Sequence, residues 1–284
     1  MKFLILGASG MAGHTISIYL REKGHNVLGF VRKKVPFVPC VTGDASDTDF
    51  LKELITNGNY DSVINCIGIL NRSAEQHKGQ AVFLNSYFPH FLADVTENMD
   101  TQIIQMSTDC VFSGRTGNYT ENSLRDGETF YDRTKALGEL EDDQNITLRN
   151  SIVGPDIDSN GIGLLNWFMK QNGEINGYTG AMWTGMTTLQ LAKVMEKAAV
   201  ERAHGLYNMV PDHNISKYEL LRLFNHYFRN DAIRIKPYDG FSADKTLVRT
   251  HFGFSETVPD YETMVVEMAE WMRAHKSLYP HYAL

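Results

Sequence analysis

Cysteine is scarce in this chain of 284 residues: Cys40, Cys66 and Cys110 are an odd number, far apart and without CxxC spacing. A disulfide framework and a zinc ribbon are therefore not expected, and a reducing, cytoplasmic setting is. The ten histidines include no HExxH pair, so no metal site is expected either. No apolar stretch approaches the roughly 18 residues of a membrane span. The run from Phe3 to Leu6 after Lys2 imitates a secretory leader but is cut short by Gly7. Basic residues are also in deficit, 27 Lys and Arg against 34 Asp and Glu, a formal net charge of -7. That balance argues against a nucleic-acid or membrane-surface partner, and any anionic ligand must meet a local basic cluster. Internal repeats and low-complexity linkers are lacking as well.

The chain is organised around the stretch Leu4-Ile5-Leu6-Gly7-Ala8-Ser9-Gly10-Met11-Ala12-Gly13. An apolar strand stops at Gly7 and a helical pattern begins near Met11. Gly7 supplies the backbone angles of a tight turn, Gly10 lets a ligand approach the backbone, and Gly13 lets helix and strand pack closely. Free amides at the helix start attract phosphate. The spacing is GxxGxxG, one residue longer than the usual dinucleotide fingerprint.

A regular alternation follows. Ile16, Tyr19 and Leu20 continue one apolar helical face to a stop at Gly24, and Asn26 to Val31 reads as a strand. After it comes Arg32-Lys33-Lys34, where an NAD-preferring protein would present an acidic residue to the ribose; the basic run favours a 2'-phosphate, hence NADP over NAD. Asp44 binds adenine or shapes a turn. Asp47 caps a helix bearing Phe50, Leu51, Leu54 and Ile55. Ser62 to Ile67 is a strand, Ala81 to Asn98 a long helix, Gln102 to Met106 a strand, Tyr131 to Glu141 a helix and Ile146 to Val153 a strand. The pattern predicts an α/β fold with a doubly wound parallel sheet (Rossmann-like) over residues 1–153. Residues 154–284 are expected to form mainly a smaller α+β substrate-binding cap, with some segments returning to the sheet. Its helices fall at Leu164 to Gln171, Leu189 to Ala199, Tyr218 to Phe228 and Thr263 to Met272, its short strands at Gly205 to Val210 and Ile233 to Ile235.

Two motifs carry chemistry. Ser107-Thr108-Asp109 follows a strand and opens a long polar loop to Gly127, and Tyr131 and Lys135 stand at i and i+4 on one helical face. An ammonium beside a phenol lowers its pKa, which suits proton exchange with a substrate oxygen, and the Thr108 hydroxyl could hold that oxygen.

Gly7, Gly10 and Gly13, the segment Val63 to Gly68, Asn85, Ser107 to Gly114, Tyr131 with Lys135, Leu148 to Ser151, Gly205 to Tyr207 and Ser216 to Leu220 together resemble the extended short-chain dehydrogenase/reductase superfamily. Within it, the chain is similar over most of its length to the dTDP-4-dehydrorhamnose reductase-like group. Asp132 after the Tyr and Asn65-Cys66-Ile67-Gly68 in place of an alanine-rich version depart from the group's pattern.

The resemblance implies NADPH-dependent reduction of the 4-keto group of a nucleotide-linked 4-keto-6-deoxyhexose, dTDP- or UDP-linked. It implies Tyr131 as proton donor, Lys135 on the nicotinamide ribose and Thr108 on the ketone. The expected cofactor contacts are Gly7, Ser9, Gly10, Met11, Gly13, Arg32, Lys33, Asp44, Cys66, Gly68, Asn85, Tyr131 and Lys135. The expected substrate contacts are Thr108, Asp109, Tyr131, Trp183 and Lys245, with Lys245 at a position that meets the pyrophosphate. A homodimer is expected. The alternatives are a sugar-nucleotide 4-epimerase and a non-catalytic NADP-binding regulatory subunit.

Overall fold

Strand β1 (Lys2–Leu6) is flanked by two parallel neighbours, β2 (Asn26–Val31) and β4 (Ser62–Asn65), so its apolar run is buried on both faces. The computed structural model describes all 284 residues. Phe3 and Ile5 point into one core, shared with helix α1 (Met11–Glu22), while Leu4 and Leu6 point into another, shared with α2 (Thr48–Gly58). This period of two feeds two helical layers from one strand.

The remaining strands of this sheet are β3 (Cys40–Thr42), β5 (Gln102–Ser107), β6 (Ile146–Arg149) and β10 (Gly205–Asn208). The order is β10-β6-β5-β4-β1-β2-β3, and every pairing is parallel. The expected doubly wound sheet is therefore what the chain forms. Strand order reverses between β1 and β4, and the crevice beyond their carboxyl ends is where such sheets bind ligands.

Local chemistry sets the helix boundaries. Asp47 accepts from Phe50 N at 3.2 Å and caps α2 as expected. The single long helix expected from Ala81 to Asn98 is instead α4 (Lys78–Ala81), a π turn over Val82–Tyr87, and α5 (Phe88–Thr96). A short helix α3 (Asn71–Gln76) precedes it. The expected strand from Ile146 to Val153 breaks at Asn150, and its second half, β7 (Ser151–Val153), leaves the sheet to pair with β9 (Gly185–Thr187).

After α7 (Leu164–Met169), β8 (Glu174–Trp183) pairs with β11 (Ile215–Ser216) and β12 (Arg234–Asp244) in a three-stranded sheet. Strand β8 escapes the apolar pattern, and β12 shows it only at its start, the expected strand Ile233 to Ile235, because much of each is exposed. Helix α8 (Thr188–Glu201) packs on α1, and α9 (Lys217–Arg229) on β8 and α10 (Tyr261–Ala274). No helix is long and apolar enough to cross a membrane.

Candidate functional site

The glycine turn behaves as its spacing implies. Gly7 has φ +82°, and a Cβ on Gly13 would stand 2.2 Å from the Gly7 carbonyl oxygen, so only glycine lets α1 sit this close to the turn. Gly10 precedes α1 without a capping side chain, leaving first-turn amides for an anion. Beside it a cavity of about 750 Å³ opens over the ends of β1 and β4. Gly7, Ser9, Gly10, Arg32, Asp44, Cys66 and Gly68 line it. Met11, Gly13, Lys33, Asn85, Tyr131 and Lys135 do not form its wall. Lys33 is exposed, and the Asp44 carboxylate, held below its usual pKa chiefly by Ser46, accepts from Ser46 N at 2.9 Å and Oγ at 2.6 Å. This donor set, with a crowded glycine cradle, suits a dinucleotide.

Asn85 is spent on the protein. Its amide donates to Ile69 O at 2.9 Å and Thr134 Oγ1 at 3.2 Å, and its oxygen accepts from Ile69 N at 3.0 Å. The widened π turn aims Asn85 inward, so that it ties the loop after β4 to helix α6 (Phe130–Leu137).

Helix α6 begins at Thr129 in a reciprocal cap: Thr129 Oγ1 accepts from Asp132 N at 3.1 Å, and Asp132 Oδ2 accepts from Thr129 N at 3.2 Å. That accounts for Asp132 after the tyrosine. Tyr131 and Lys135 lie on one buried face, 7% and 8% exposed. Lys135 Nζ donates to Met106 O at 2.7 Å at the end of β5; burial pulls its pKa down to about 8 against the opposing pull of Glu139 and Cys66. The Cys66 thiol is pushed up to about 12 by burial.

One expectation is overturned. Burial raises the Tyr131 phenol above its ordinary pKa, with Cys110 adding to the rise and Thr108 opposing it, while Lys135 is not among the leading influences. The lysine's ammonium is turned to a backbone carbonyl instead. The phenol is thus held protonated, ready to donate rather than to accept.

Thr108 stands at the end of β5 and caps a single 3-10 turn over Asp109–Val111. Its Oγ1 accepts from Cys110 N at 3.1 Å and donates to Asp109 Oδ1 at 3.1 Å. Asp109 is buried, and burial raises its pKa despite Thr108, Lys217 and Lys245. The polar stretch after Thr108 is a held structure: Tyr119 N donates to Thr246 O at 2.8 Å, Val248 N donates to Tyr119 O at 2.8 Å, and Glu121 accepts from Asn208 N and Thr250 N. Behind it, fully buried Arg149 donates to Glu139 at 2.9 and 2.7 Å, an internal pair.

The two expected substrate contacts from the later chain fall differently. Lys245 Nζ lies 3.8 Å from Asp132 Oδ2, beside the Thr108 and Tyr131 cluster. Trp183 is only 4% exposed and packs on Tyr261, and the Lys217 ammonium stands 4.7 Å over its ring. Spacing did not single out Lys217, although it lies in the Ser216 to Leu220 segment that carries the resemblance and directly follows the helix cap Ser216.

Comparison with known proteins agrees with this architecture. The model of a family described as RmlD substrate binding domain matches residues 1–281. A probable low-salt glycan biosynthesis reductase, Agl14, of Haloferax volcanii is 33% identical over 143 residues, 49% of this chain and 48% of that protein. The chain spans about half the length of Agl14 and of several other curated relatives it matches. A dTDP-4-dehydrorhamnose reductase of Aggregatibacter actinomycetemcomitans is 23% identical, with 98% of each chain covered. Among solved structures, the dTDP-4-dehydrorhamnose reductase of Bacillus anthracis in complex with NADP superposes with a TM-score of 0.79 at 18% identity, covering 94% of this chain and 98% of that one.

Proposed function

Because the chain belongs to the RmlD substrate-binding-domain family, we propose that it reduces the 4-keto group of a nucleotide-linked 4-keto-6-deoxyhexose, with NADPH as the preferred reductant. The observation that carries this reading is the convergence of Thr108, Tyr131 and Lys135 at the ends of β5 and α6, next to the glycine-lined cavity. The dinucleotide would supply a hydride to the sugar carbon.

The chain's own residues do the rest. Tyr131, kept protonated by burial, gives its proton to the carbonyl oxygen as that oxygen gains charge. Thr108 turns its hydroxyl from Asp109 to the same oxygen, and Asp109 is then released to accept from a sugar hydroxyl. Lys135, anchored on the Met106 carbonyl, holds the ribose. Arg32, on the cavity wall where an acidic residue would select NAD, supports the choice of NADPH. Asn85 acts through Thr134 and Ile69, as a brace.

The test is incubation with NADPH and dTDP- or UDP-linked 4-keto-6-deoxyhexoses, with the product identified by NMR. One NADPH oxidised per sugar reduced at C4 supports the proposal. Interconversion of C4-epimeric 4-hydroxy sugar nucleotides in a parallel incubation, without net NADPH consumption, would replace it with a 4-epimerase.

A further inference from the structure

Lys217 is the first residue of α9, held there by a reciprocal cap in which Ser216 Oγ accepts from Glu219 N at 3.1 Å and Glu219 Oε2 accepts from Ser216 N at 3.0 Å. Its ammonium is carried over the Trp183 indole at 4.7 Å, toward Asp109 and Cys110. It donates no hydrogen bond to any protein acceptor and forms no ion pair within 4.0 Å. Lys245 approaches the same carboxylate from the segment after β12, and it too makes no ion pair with Asp109. Lys217 is thus left without a direct partner beside the Thr108–Asp109 turn, while Lys245, near the same carboxylate, is paired with Asp132 at 3.8 Å.

Desolvated charge without a partner is costly, and burial already pulls Lys217 down to about 8. In a chain of net charge -7, an ammonium group buried beside the site without a direct partner is a local attraction for an anion. The indole beneath Lys217 limits its rotamers and adds a cation–π attraction, so the charge is aimed before any ligand arrives.

We propose that Lys217 is a substrate-positioning residue that, with Lys245, grips the diphosphate of the sugar nucleotide across one hexose ring from the Thr108 and Tyr131 hydroxyls. This rests on the sugar-nucleotide reading of the site. It also gives Trp183 a different task from stacking on the ligand: the indole is the platform on which the phosphate-binding lysine lies.

The test is equilibrium binding of dTDP and UDP, without turnover, to the parent, Lys217→Met and Lys217→Arg, with NADPH binding as the control for folding. The expected result is a loss of tenfold or more in affinity for the preferred nucleotide in Lys217→Met, recovery to within threefold in Lys217→Arg, and NADPH affinity unchanged in both. In kinetics, the methionine variant raises KM for the sugar nucleotide more than it lowers kcat. A methionine variant that binds the nucleotide as tightly as the parent overturns the role of Lys217 alone. A parent that binds neither nucleotide overturns the sugar-nucleotide reading and this proposal with it.

Discussion

His14 Nε2 accepts a 2.8 Å hydrogen bond from the Tyr279 hydroxyl, joining the helix that follows the glycine turn to the end of the chain. The ring's other nitrogen, Nδ1, stands 2.9 Å from the Gly10 carbonyl, which can only accept, so the ring is neutral with its proton on Nδ1. Burial pulls the imidazole down to about 4.

Acid should therefore weaken the fold at this point. Unfolded, the ring takes up a proton near pH 6.5; folded, it resists to about 4. Between these values the unfolded chain binds more protons, so stability falls as the pH drops through that window. Urea titrations at pH 7 and 4.5 should show the parent losing about 2 kcal/mol more than His14→Gln. Equal losses in the two proteins would refute the account.

Tyr131→Phe removes the proton donor and leaves the cavity wall intact. Turnover should fall by about 100-fold or more, while the dissociation constant for NADPH moves by less than about twofold. Parental turnover in this variant would be incompatible with the proposed mechanism.

Arg32→Ser tests the choice of dinucleotide. Loss of a charge-assisted contact to a 2'-phosphate should weaken NADPH about tenfold and leave NADH unchanged. Fluorescence titration with both cofactors reads this directly, and a parallel loss for both would point away from phosphate recognition.

Gly13 and Gly10 should respond to alanine in different ways. At Gly13 the new methyl meets backbone at 2.2 Å, and the fold should lose about 1 to 3 kcal/mol or more. At Gly10 the nearest atom is 3.5 Å away, so Gly10→Ala should keep its stability to within about 1 kcal/mol and lose NADPH affinity instead. Denaturation and binding curves on the same samples separate the two effects.

What could be read in advance follows from where each signal is local. The turn at Gly7, the cap at Asp47 and the pairing of Tyr131 with Lys135 depend on neighbours a few residues away, and spacing reveals them. The pKa of Tyr131 does not, because it depends on burial and on Cys110 and Thr108, brought in from the end of another strand. The same holds for Lys217, whose meaning comes from Asp109 more than a hundred residues earlier. Strand β8, and β12 beyond its start at the expected strand Ile233 to Ile235, were hidden for a different reason: strands with long exposed stretches have no apolar rhythm to announce them.

The return of β10 to the side of β6 means that the sheet is finished by residues made long after the glycine turn. A chain halted before Gly205 would leave β6 as a raw margin with its amides and carbonyls unclaimed, and such margins invite one copy to zip onto the next. Until Gly205 to Asn208 have emerged and docked, the newborn protein is exposed to clumping, however complete its first half looks.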